Sequence, residues 1–120
     1  MERKYRLRLN TDFQRVRKKG KSWANRLAVL CALPNDLGHS RFGFAVSKRI
    51  GKAVTRNLVR RRMREAVRLR RASIVGGWDI IFIARSAIVR ATYSEISCAV
   101  EDLLRRSGLY ESIDSENGSK

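Results

Sequence analysis

Eleven Lys and Arg and a single acid, Glu65, fall within Ser47–Arg71, SKRIGKAVTRNLVRRRMREAVRLRR, so a fifth of the 120-residue chain holds +10 of its +16 formal charge. Arginine offers a planar, permanently charged fork that matches phosphate oxygens two at a time. At about 100° per residue, a helix from Ala53 to Arg71 gathers Arg56, Asn57, Arg60, Arg61, Arg64, Arg68 and Arg71 within an arc of roughly 140°. Leu58, Val59, Met63, Ala66 and Leu69 occupy the opposite arc, which is expected to enter the core. Arg62 and Arg70 land inside that apolar arc and must snorkel outward. A solvated surface helix usually interleaves its charges in i,i+4 pairs of opposite sign. Here the acids lie elsewhere in the chain, so the pattern points to an external polyanion, nucleic acid, as the compensating charge.

Groups for catalysis by the chain itself are not assembled. The one histidine, His39, lies in a turn-like stretch, NDLGHS, with no Cys or carboxylate pattern around it. Paired carboxylates for two-metal phosphate chemistry are missing, because Asp79 precedes an apolar strand and Glu101-Asp102 belong to a C-terminal helix. Gly51-Lys52 lacks the upstream glycine spacing and the hydroxyl residue of a phosphate loop. Cys31 and Cys98 are too few for a disulfide scaffold or a metal site, and both are expected as reduced core residues. No metal ligand set is expected on the protein.

The elements that would position the arginines read as follows. The first nine residues alternate basic and apolar, with Tyr5, Leu7 and Leu9, and suit an extended basic arm. Asn10 or Thr11 can cap a short helix, TDFQRVRKK, closed by Gly20 at its C′ position. Phe13 and Val16 share one face of it, and Phe13 is open to two roles, core anchor or stacking surface. Arg26–Leu33 has strand length, and Pro34–Gly38 has the residues of a hairpin connection. Arg41–Val46 is the expected return strand, with Phe42 and Phe44 on one side of the sheet and Gly43 between them. Trp78–Ala84 is a buried strand, so the basic helix becomes the crossover of a strand–helix–strand unit. Thr92-Tyr93-Ser94-Glu95 is a capping box that opens a last helix, ending at Ser107-Gly108.

These elements make a single α/β (α+β) domain over residues 1–109, with residues 1–9 as the arm and 110–120 as a polar tail expected to be disordered. The expected order is helix, strands, helix, strand, helix, packed as a small sandwich. No stretch approaches the ~20 apolar residues of a membrane span, and the N-terminus lacks a secretory h-region, so a cytoplasmic protein without membrane contact is expected. Charge by segment is +8 for Met1–Arg26, +10 for Ser47–Arg71, zero for Leu27–Val46 and for Ala72–Arg106, and −2 for the remainder. A polyanion should therefore meet the N-terminal segment and the basic helix. Composition alone leaves open a structural ribosomal or nucleoid protein.

Phe42-Gly43-Phe44-Ala45-Val46-Ser47-Lys48-Arg49-Ile50-Gly51-Lys52-Ala53-Val54-Thr55-Arg56-Asn57, followed by Arg60-Arg61 and Arg64-Glu65, resembles the signature of the protein subunit of bacterial ribonuclease P. That family carries a hydrophobic–Ser–Lys–basic–hydrophobic–Gly–x–Ala–Val–x–Arg–Asn run leading into a basic helix. Leu9–Gly20 is similar to the family's first helix, and Trp78–Arg85 to its last strand. The resemblance implies a sandwich with a left-handed crossover, like the second domain of a small-subunit ribosomal protein. It implies a non-catalytic subunit that binds a catalytic RNA and the 5′ leader of precursor tRNA, acts as a monomer within the holoenzyme, and assists leader removal with Mg²⁺ used by the RNA. Carried over by position, the catalytic-RNA face is Lys48, Arg49, Lys52, Arg56, Asn57, Arg60, Arg61, Arg64 and Arg68. The leader cleft would comprise Phe13, Arg17 and, on the sheet, Phe42 or Phe44. The chain departs from the pattern at Arg17 and Cys31, where the family often has aromatics, and at Leu58, where a basic residue commonly follows Arg-Asn. Arg17 would then offer a guanidinium plane or a phosphate contact in place of a ring.

Overall fold

The computed structural model describes residues 1–111, and the expected tail is outside them apart from Tyr110 and Glu111. Three helices and four strands follow one another as α1 (Asn10–Lys19), β1 (Lys21–Ala24), β2 (Ala28–Pro34), β3 (Arg41–Ala45), α2 (Ala53–Arg68), β4 (Trp78–Ala84) and α3 (Tyr93–Arg106). The sheet order is β1-β2-β4-β3. β2 runs antiparallel to both β1 and β4, and β3 runs parallel to β4, so α2 is the crossover between parallel neighbours.

The expected hairpin between β2 and β3 does not form, because β4 lies between them. Ile80–Ala84 is an unbroken apolar run, and a strand covered by helices on both faces belongs in the middle of a sheet. Asn35 carries the connection across the start of β4: its N–H donates to Gly77 O at 2.8 Å and its Nδ2 to Asp79 Oδ1 at 2.8 Å. β1 is a strand the sequence did not announce, four residues whose side chains are mostly exposed.

Alternation sorts the sheet residues between two layers. Leu30, Ala32, Ile80, Phe82 and Phe42 face α2 and α3, together with Val59, Met63, Val100 and Leu103. Cys31 and Ile81 face α1, with Leu7 and Val16. Gly20 ends α1 in an extended conformation, φ −80°, so the expected left-handed cap is absent. Its small size serves close packing, since a Cβ there would stand 2.5 Å from the carbonyl oxygens of both Ala32 and Val16. Nor do the side chains of Asn10 or Thr11 cap α1; Leu9 is the N-cap and makes no side-chain bond.

The N-terminal residues are docked instead of forming a free arm. Leu7 is buried, and its N–H donates to Phe42 O at 2.7 Å. Tyr5 lies beneath the Arg71 guanidinium at 3.9 Å, a cation–π contact that ties this segment to the end of α2. Tyr110 is also held, through an antiparallel bridge to Ile74. Cys98 is exposed on α3, whereas Cys31 is buried, which pushes its thiol pKa up. The capping box at Thr92 is present with both reciprocal bonds.

One buried acid joins three elements. Asp79 has no exposed surface. It accepts two hydrogen bonds from Arg41 (2.9 and 2.8 Å), one from Arg15 (2.9 Å) and one from Asn35. It thereby locks α1 and the β2–β3 connection to the central strands.

Candidate nucleic-acid interface

α2 is turned about its axis relative to the expected orientation. Val59, Met63, Ala66 and Val67 are buried, whereas Leu69 is 60% exposed. Around the wheel this places the buried face roughly 50° closer to the arginine arc than the sequence pattern suggests. Arg56, Arg60 and Arg64 consequently lie along the border of the buried face and are half-buried, while Asn57, Arg61 and Arg68 point fully outward. The two rows differ in surroundings.

The inner row overlooks a cleft of about 930 Å³ that wraps the free edge of β3. Arg6 and Arg8 from the N-terminal segment, Asn10, Phe13, Gln14 and Arg17 from α1, Phe42–Ser47, Arg49, and Arg60 and Arg64 from α2 line it. Among the described residues none of these arginines is ion-paired. The nearby acids are engaged elsewhere, Asp12 and Asp79 with Arg15 and Arg41, and Glu65 with Arg68. Arg60 donates to Asn57 Oδ1 at 2.8 Å, a neutral partner. Burial, then repulsion from Arg6 and Arg60, holds the Arg64 guanidinium below its ordinary pKa. An arginine remains protonated throughout accessible pH, so the guanidinium stays charged while partly buried beside like charge. Phosphate is the natural complement.

Phe13 resolves one of the open alternatives in part. It is half-buried, and its ring tip lies over Gly43 so closely that a Cβ there would be 2.5 Å from Cζ. The ring is packed against the sheet and also lines the cleft. Gly43→Ala should push the ring outward, destabilising the protein by about 1–2 kcal/mol through overpacking; a urea titration with unchanged m-value reads it, and an unaltered midpoint would refute the contact.

The rings of Phe42 and Phe44 lie on the side of the sheet away from Phe13. Phe42 is 2% exposed and faces the α2–α3 core, and Phe44 packs on the same side in a near-parallel stack with Phe82, centroids 6.0 Å apart. Sheet alternation puts Gly43, not its neighbours, on the Phe13 side. Arg17 is exposed on the lip formed by α1.

Of the remaining expected residues, Lys48, Arg49 and Lys52 are exposed on the connection into α2, and Arg56 Nε donates to Gly51 O at 3.1 Å. Arg68 is held by Glu65 through two hydrogen bonds, 2.9 and 2.6 Å. The cleft also takes in Arg6, Arg8, Asn10, Gln14 and Ser47, which are not among the expected site residues. Two signals point to Arg6 and Arg8: they flank Leu7 in the alternation noted above, and they belong to the +8 segment Met1–Arg26. Among the described residues no group of three or more His, Cys, Asp or Glu could hold a metal ion, and no helix is long and apolar enough to cross a membrane.

Comparison with known proteins agrees with this architecture. Residues 1–108 match the family described as Ribonuclease P. A "Ribonuclease P protein component" from Roseiflexus sp. (strain RS-1) is 47% identical over 116 residues, 96% of this chain and 95% of its own length. A solved Staphylococcus aureus RNase P protein, a mutant described as having defective mRNA degradation activity, superposes with a TM-score of 0.84 at 39% identity, covering 92% of this chain and 93% of that one. The RNase P protein from Thermotoga maritima gives 0.78 at 34% identity, covering 84% and 96%. With its fold, the match along nearly the whole sequence and the expected signature in agreement, the chain belongs to the ribonuclease P protein family, the protein component of the endoribonuclease that matures tRNA 5′ ends.

Proposed function

We propose that the chain binds the catalytic RNA of ribonuclease P through the outward row and loop of α2, and takes the 5′ leader of precursor tRNA in the cleft, as a monomer in the cytoplasm. The observation that carries this reading is the set of arginines without an acidic partner among the described residues, Arg6, Arg17, Arg49, Arg60 and Arg64, around a cleft floored by a strand edge and flanked by Phe13. Lys48, Lys52, Asn57, Arg61 and Arg68 form the second face, with Arg56 on the border between the two. Two adjoining cationic surfaces, joined where Arg60 donates to Asn57, suit a protein that holds two RNA segments together and offsets their mutual repulsion. The exposed large apolar side chains, Leu9, Leu37, Val54, Leu69 and Val89, are scattered over separate elements, which favours the monomer.

The chain contributes binding and charge, and the phosphodiester cleavage belongs to the RNA with its Mg²⁺. Charge supplied by arginine lowers the demand for divalent cations that would otherwise screen substrate from ribozyme. Reconstitution with the catalytic RNA should restore precursor cleavage at low Mg²⁺, more strongly for a precursor with a leader of several nucleotides than for one with a single nucleotide. Cleavage by the purified chain without RNA, or rescue by protein that ignores leader length, would sink the reading.

A further inference from the structure

We propose that the open peptide edge of β3 at Phe44 is a hydrogen-bonding element of the cleft, reading the edge of an unpaired base; this rests on the reading that the cleft takes the leader strand. Phe42 and Phe44 line the cleft although their rings point into the opposite core. The main chain reconciles the two facts. Leu7 N–H donates to Phe42 O at 2.7 Å, so the peptide groups of Phe42 are directed away from β4. Within a strand the N–H and C=O of one residue point to the same side and alternate along the chain. Those of Gly43 and Ala45 therefore serve the β4 ladder, and those of Phe44 face outward.

The N-terminal segment covers this edge at Phe42, then leaves at Arg8–Leu9 to begin α1. Beyond that point the edge is uncovered. Among the described residues no hydrogen bond reaches the N–H or C=O of Phe44 outside the sheet ladder, toward which they do not point. An open edge of this kind ordinarily invites another strand. Here Arg17, Arg49, Arg60 and Arg64 surround it, so charge complementarity favours a sugar–phosphate chain over a polypeptide. A base laid against Phe13 with its phosphates on the arginines would turn its hydrogen-bonding edge to Phe44. The N–H would donate to a ring nitrogen or carbonyl, and the C=O would accept from an exocyclic amine or imino group. Base preference would then be written in the main chain, beyond the reach of side-chain substitution.

The test replaces Phe44 by phenyllactate in the full-length protein, which exchanges its N–H for an ester oxygen and keeps the ring. Phenyllactate at Phe82, inside the core ladder of β4, reports what an ester does to the sheet alone. Each protein is assembled with the catalytic RNA, and affinity is measured for precursors with a long or a single-nucleotide leader. Loss of one neutral hydrogen bond should weaken long-leader binding by roughly three- to tenfold in the Phe44 ester only, with single-nucleotide-leader binding unchanged. Equal binding by the Phe44 ester and the unmodified protein overturns the inference, and so does equal loss in both esters. Failure of the unmodified protein to distinguish the two leaders instead overturns the reading of the cleft beneath it. Self-association that responds to the Phe44 ester while precursor binding does not would assign the edge to a second protein strand.

Discussion

The double substitution Arg60→Ala with Arg64→Ala will weaken binding of long-leader precursor to the assembled enzyme by roughly 100-fold at low salt, at about 1.5 kcal/mol per charged hydrogen bond lost. Both guanidiniums lie on the border of the buried face of α2, overlook the cleft and have no acidic partner among the described residues. An anion arriving there meets positive charge that nothing in the fold has compensated. Each phosphate released from a cation also lowers the salt dependence, so the slope of log affinity against log salt should become shallower by about 1.4 for two contacts on single-stranded RNA. The fold should tolerate the change, because removing the pair relieves repulsion among Arg6, Arg60 and Arg64; stability should stay within about 0.5 kcal/mol. Arg61→Ala with Arg68→Ala removes as much charge from the outward row, where Arg68 already has Glu65. It should reduce affinity for the catalytic RNA and leave leader-length dependence intact. A salt slope unaltered by the inner pair, or identical profiles for the two pairs, would defeat the assignment of separate rows.

What could be read from the residues, and what could not, divides by the range of the interactions. The capping box at Thr92 and the spacing of Ile96, Val100, Leu103 and Leu104 are local, and α3 lies where they say. The amphipathic character of α2 is local too, but its rotation is not. Leu58 and Leu69 are as apolar as Val67, which lies between arginines on the wheel. Val67 nonetheless joins the main core, and the N-terminal segment is brought to the chain just beyond α2 through Tyr5 and Arg71, residues far apart in the sequence. The Pro34–Gly38 signal correctly announces a change of direction, yet a turn signal carries no information about which strand inserts between its arms. β1 escapes because four mostly exposed residues have no apolar period to betray them. Phe42 and Phe44 on one side of β3 was right; which side depended on Gly43 receiving Phe13 from α1. The family signature reached further than local pattern because it encodes such long-range outcomes without deriving them.

Asp79→Asn will cost about 3 kcal/mol, near the lower end for breaking a buried ion pair, and lower the melting temperature by roughly 10–15 °C for a domain of this size. The partners of Asp79 are Arg15, Asn35 and Arg41, which sequence proximity cannot connect to it. Burial alone would raise its pKa, but the hydrogen bonds from Arg41, Asn35 and Arg15 outweigh that and hold the carboxyl below its ordinary value, while Arg15 and Arg41 are pushed up. An amide in its place turns an N–H₂ toward guanidinium donors, leaving the Arg41 fork without its second acceptor. The cost stays near the low end because Arg15, 37% exposed, can return to water. A depressed folded-state pKa means that the contribution is fully present above the unfolded value, about 3.9, and is lost as pH falls through the folded value. The stability gap between the wild-type protein and Asp79→Asn should therefore be constant at neutral pH and narrow below about pH 4. Because Arg15 shares α1 with Phe13 and Arg17, and Arg41 opens the strand whose edge floors the cleft, the variant should also bind long-leader precursor more weakly at temperatures where it remains folded. Arg41→Ala should cost less in the Asp79→Asn background than in the wild type, the mark of one shared network. Additive costs for the two substitutions, or a stability gap that persists undiminished at pH 3, would show that Asp79 does not act as the charged junction between α1 and the sheet.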